Sequence, residues 1–116
     1  MSELSPFQPQ GPTALLAVNA TSQTIAVKKY GTSKVPKFLQ FVNLGGATVF
    51  VNMGMTPDVT AAIPIAGTPA SGLPIQAGST VIYETAGGHN ADGAYVAAIA
   101  ASAGPFSLYI TPGEGT

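Results

Sequence analysis

The sequence predicts an all-β fold, a β-sandwich or jelly-roll-like barrel of about eight short strands with an extended N-terminal arm. Two observations carry that prediction. Short runs rich in Val, Ile, Phe, Tyr and Thr recur along the chain, separated by Gly, Pro and Asn turn chemistry. Several of these runs are apolar on both faces: Leu39 and Phe41 against Val42, and Val49 and Val51 against Phe50. A sheet with one wet face alternates apolar with polar, so these strands need a core on one side and a second cover on the other. The second cover is expected to be a neighbouring subunit. The 116 residues fit one domain.

The elements follow in order. Residues 1–13 form an extended Pro-rich arm, with Phe7 as its apolar anchor, and residues 14–116 form the single sandwich domain. Thr24 to Val27 reads as a strand. Phe38 to Asn43 and Thr48 to Asn52 read as two more, joined through Leu44-Gly45-Gly46 as a hairpin. Residues 54–72 form a long connection with Pro57, Pro64 and Pro69, and connections of that length are usually functional or docked on something. Strands at Leu73 to Gln76 and Ser79 to Glu84 flank Ala77-Gly78. Tyr95 to Ala101 and Phe106 to Thr111 flank Ala103-Gly104-Pro105, which reads as another hairpin. The run Ala94 to Ala103 has helix-favouring Ala and an i,i+4 pair, Tyr95 and Ile99. Its shortness and its Gly and Pro boundaries favour a strand whose small side chains let another layer come close. Thr111 to Thr116, with Pro112 and Gly113, is expected to leave the sheet and end on the surface.

Composition excludes more than it assigns. The chain has four Lys, five acids, one His, no Cys and no Trp, and its charged fraction is 8%. That is about a third of the usual share for a soluble domain. A surface so poor in charge is expected to be covered by copies of the chain or by a larger assembly. With net charge −1 and no Arg, nothing steers the chain to nucleic acid or an anionic membrane. Without Cys there is no disulfide, zinc-thiolate site or thiol nucleophile.

The candidate chemistry is sparse. His89 lies three residues from Asp92 in a Gly-rich stretch, but no third ligand or nucleophile is near in sequence, so a polar turn is the plainer reading. Ser79 lacks the flanking glycines of a nucleophile elbow. No catalytic, cofactor-binding or metal residue is assigned, and no enzymatic activity is expected. Lys28, Lys29, Lys34 and Lys37 bracket one loop. They serve either to keep a sheet edge from pairing or, with Phe7, as contacts to an acidic partner surface.

Three segments carry a resemblance: Leu73-Pro-Ile-Gln-Ala-Gly-Ser-Thr-Val-Ile82, Ala94-Tyr-Val-Ala-Ala-Ile99 and Leu108-Tyr-Ile-Thr-Pro-Gly-Glu-Gly115. With the segment from Val42 to Gly54, they resemble small all-β virion proteins of tailed bacteriophages, over roughly residues 38–116. The resemblance implies a non-enzymatic structural protein of the virion, of the head decoration, cement or connector-associated type. It implies a homo-oligomer, with a trimer favoured, bound to the major capsid or other virion proteins without cofactors. A tail- or fibre-associated module that recognises carbohydrate or a host surface is the alternative. Its only aromatic candidates are Tyr83 beside Glu84 and Tyr95 near Asn90 and Asp92.

Overall fold

The computed structural model describes residues 7–9, 11–28, 38–84, 89–90 and 93–114. Every regular element among them is a strand: β1 (Gln8–Pro9), β2 (Ala14–Val18), β3 (Gln23–Lys28), β4 (Phe38–Asn43), β5 (Val49–Gly54), β6 (Leu73–Ile75), β7 (Thr80–Glu84), β8 (His89–Asn90), β9 (Gly93–Ala100) and β10 (Phe106–Glu114). They form two antiparallel sheets. Sheet I has the order β2-β10-β4-β7, with β1 lying end to end with β2 along the same edge of β10. Sheet II has the order β3-β9-β5-β6, with β8 extending the β5 side of β9. The Ala-rich run 94–100 is a strand, as its boundaries predict.

The ladders are nested. β5 pairs with β6, β4 with β7, β3 with β9 and β2 with β10. This is the pattern of one long hairpin whose tip is the segment 55–72. Rolling that hairpin adds the ladders β4·β10 and β5·β9, which gives a two-sheet jelly roll and not a closed barrel.

Both hairpins expected from the sequence are corrected by this topology. Residues 44–48 join β4 of sheet I to β5 of sheet II, and residues 101–105 join β9 of sheet II to β10 of sheet I. The side chain of Asn43 explains the first. Its amide donates to the carbonyls of Ala47 (2.9 Å) and Ile75 (3.0 Å), and its oxygen accepts from the Gly45 N–H (2.9 Å). The turn's polar groups are thus satisfied by a side chain and need no ladder across the turn. At the second arch, Gly104 has φ +64, and a Cβ there would meet the Val18 carbonyl oxygen at 2.5 Å. The chain can pass that close to the end of β2 because the residue is glycine. Hydrogen bonds tie the arches together, from Leu44 N–H to Ser107 O (3.0 Å) and from Ala100 N–H to Asn19 O (2.9 Å).

The C-terminal segment is corrected as well. Thr111 to Glu114 continue β10 and do not leave the sheet. Alternation along the ladder turns the amide position of Pro112 away from β4, toward the gap between β1 and β2. No ladder bond is lost there, so proline is tolerated in the strand. The described part of the arm lies on this same strand. Gln8 and Pro9 pair with Glu114 and Gly113, and the Thr13 and Thr111 hydroxyls share a hydrogen bond of 2.7 Å.

Side chains of alternate residues fill the space between the sheets. Phe41, Leu39, Leu108, Ile110 and Val18 from sheet I meet Ile75, Val27, Val49, Val51 and Val96 from sheet II, all essentially without exposure. Each such burial is worth about 1.5–3 kcal/mol. Tyr83 packs against this core, its ring 5.8 Å from that of Phe41, and its hydroxyl donates to the Pro74 carbonyl (3.2 Å). That bond links the outermost strands of the two sheets.

Candidate interaction surface

The two outer faces of the sandwich differ. Sheet II supplies its own cover. The base of the β5–β6 connection is held over its outer face by Thr24 Oγ1 donating to Val59 O (3.0 Å), Asn52 Nδ2 donating to Thr60 O (2.9 Å), and the Ala61 N–H donating to Ser22 Oγ (3.0 Å). Thr24 and Asn52 are the register neighbours of Ala97, one on each side. Ala97 is fully buried although it points away from the core, because the connection crosses there. Gly72 closes the far side: a Cβ on it would meet the Ala62 carbonyl oxygen and the Phe50 side chain. The strand of small residues therefore does admit another layer, and that layer is this chain's own.

Beyond its anchored base the connection projects. Ile65 and Thr68 exchange two backbone hydrogen bonds (2.7 and 3.2 Å) around Ala66-Gly67, with Gly67 at φ +82. Flanking prolines stiffen this turn, and Ile65 stands 70% exposed on it.

Sheet I has no such cover among the described residues. Its outer face carries Leu15, Tyr109 and Val42 in one row across three strands, with Ile82 in the next row and Phe38 in the row after that. Leu15 is 52% exposed, and the other four are half-buried. Their neighbours are Thr, Ser, Ala and Gln, and Glu84 at the margin is the single charged residue among those described on this face. Four strands spaced about 4.8 Å apart and five or six residues long give roughly 400 Å² of plane. A standard interface takes about 800 Å² per partner. The face is therefore a strong core for an interface but needs a second contact region to complete one.

Of the other candidates, Phe7 and Lys28 lie at the same end of the sandwich. Phe7 is half-buried beside β1. Lys28 ends β3 opposite Gly93, at the end of the sandwich away from the arches. Lys29, Lys34 and Lys37 lie outside the described residues, as does Asp92. His89 and Asn90 add a short ladder to β9. Among the described residues no three His, Cys, Asp or Glu come together as a metal site. Tyr83, an aromatic candidate for a sugar site, is turned inward with its hydroxyl engaged, while Glu84 points to the opposite face. Met53 packs on the core. The residues that sequence reasoning missed are Leu15 and Tyr109. Their signal is the two-sided apolar pattern that β2 and β10 share with β4 and β5.

No protein-family model matches the chain, and no curated protein matches it significantly. Among solved structures, PirA is similar over 86% of this chain and 92% of its own, at 15% identity and a TM-score of 0.49. The coat protein of Tobacco streak virus is similar over 90% of this chain and 88% of its own, at 10% identity and a TM-score of 0.39.

Proposed function

We propose that this chain is a non-enzymatic structural protein of a phage particle, a decoration or cement protein that binds the capsid shell as a homo-oligomer. The observation that carries the proposal is the outer face of sheet I, apolar, almost free of charge and without a cover among the described residues. Interface cores have this composition, depleted of charge and enriched in aromatic and aliphatic side chains. The low charge of the whole chain supports the same conclusion. On a symmetric shell each weak contact repeats, so modest faces give firm attachment through avidity. The outer face of sheet I, with the Lys cluster and Phe7, is the proposed contact to the shell. A tail module for carbohydrate is less well supported, since the inward turn of Tyr83 removes one of its two aromatic candidates.

Two measurements test the proposal. Light scattering of the purified chain should give a trimer or another closed oligomer. The chain should also sediment with capsids from its own source and raise their thermal midpoint. A monomer at every concentration that stays in the supernatant refutes it.

A further inference from the structure

We propose that β7 is a pairing edge, which docks antiparallel on β7 of a second copy across a two-fold axis at Ile82. This deepens the assembly reading above and rests on it for the existence of self-association. Natural sheets protect their edges with proline, lysine, short strands or a covering segment. Three of the four edges here are protected. The β1 and β2 edge has Pro9 and Pro12. The β3 edge ends in Lys28 and has Thr24 engaged by the β5–β6 connection. β6 is three residues long and contains Pro74. β7, Thr80-Val-Ile-Tyr-Glu84, has no proline or lysine, carries a single charge at its end, and has no described residue paired with its outer side.

The register fits a copy of the same strand. Asn43 N–H donates to Ser79 O, so residues 79, 81 and 83 direct their backbone groups toward β4. Residues 80, 82 and 84 therefore direct theirs outward. Centring an antiparallel partner on Ile82 sets Ile82 against its own copy and Thr80 against Glu84. All three pairs are then in phase to exchange backbone hydrogen bonds, about six in total. On the outer face the two Ile82 side chains meet, and each Glu84 carboxylate faces a Thr80 hydroxyl instead of another carboxylate. On the inner face Val81 lies against Tyr83 of the copy, a favourable aromatic–aliphatic pair. The joined sheets would present two apolar faces side by side, roughly 800 Å² of continuous plane by the same strand spacing. This supplies the second contact region that one face lacks.

The test is sedimentation equilibrium of the full chain and its variants. Thr80→Glu sets two carboxylate pairs against each other and should weaken association about tenfold. Adding Glu84→Lys to that variant should restore wild-type association. Thr80→Pro removes two outward amide donors and no bond to β4, so it should weaken association while leaving the thermal midpoint of the dissociated chain within a few degrees. Wild-type self-association unchanged by Thr80→Glu and Thr80→Pro overturns the pairing edge and leaves the assembly proposal standing. A wild-type cyclic trimer, which has no two-fold axis, overturns the pairing edge alone, and a wild-type monomer overturns both.

Discussion

Replacing Asn43 with Ala removes the one fully buried polar side chain among the described residues. Its three hydrogen bonds join the β4–β5 arch, through Gly45 and Ala47, to the end of β6, through Ile75. Ile75 is fully buried, so its carbonyl is poorly placed to turn to water. Leaving such a group unpaired costs about 1–3 kcal/mol, and each of the two part-buried bonds contributes about 0.5–1 kcal/mol. The expected loss is about 3 kcal/mol. For a domain of this length about 1 kcal/mol moves the midpoint by roughly 4 °C, so Asn43→Ala should melt about 12 °C below wild type. Chemical denaturation with matched slopes is the assay. Asn43→Leu is the control that separates hydrogen bonding from cavity formation. It keeps the branched shape, adds apolar volume and makes none of the three bonds. A loss of similar size in both variants supports the account. Wild-type stability in Asn43→Leu would refute it, since filling the space would then suffice.

Other substitutions test other parts of the structure. Ala97→Leu should push the 59–61 segment off sheet II and cost about 1–3 kcal/mol, with faster amide exchange at Thr60 and Ala61 as the local signature. Gly104→Ala should cost about 1–2 kcal/mol or more from positive φ and contact with the Val18 carbonyl, and a neutral result would remove the close-approach argument. Leu15→Asp, on the exposed face of sheet I, should leave the monomer's stability within about 0.5 kcal/mol but abolish capsid binding in the sedimentation assay. Retained capsid binding would move the interface elsewhere.

Much of this fold is legible as strands and little of it as pairings. β4 begins and ends where its apolar run does, and β7, β9 and β10 begin within two residues of theirs. Turn chemistry at Gly45-Gly46 and Gly104-Pro105 marks where the chain reverses, but glycine permits an arch between sheets as readily as a hairpin within one. The choice rests on Asn43 and Val18, each of which meets a residue distant in sequence, Ile75 and Gly104. Pro112 is misleading for a related reason. A missing amide ends a strand only if a neighbour needs that amide, and here the gap between β1 and β2 removes the need. The surface was half legible. Two-sided strands announce a second cover, but only the structure shows that Ser22, Thr24 and Asn52 hold a cover for one sheet.

The nested ladders also imply an order of events during folding. A jelly roll brings residues 8 and 114 together, and closing so large a loop at once would be slow. Nesting avoids that step. Once β5 meets β6, the β4·β7 and β2·β10 ladders close across short connections, 44–48 with 76–79 and 19–22 with 101–105, and β3·β9 closes across the longer 29–37 with 85–92. The first loop to close is then 55–72, already narrowed by the Ile65–Thr68 turn. Truncations of side chains in β5 and β6 should therefore slow folding, while those in β2 and β10 should mainly speed unfolding. Stopped-flow measurements on Val51→Ala and Leu108→Ala distinguish the two, and equal partitioning in both would show that the roll does not assemble from its tip.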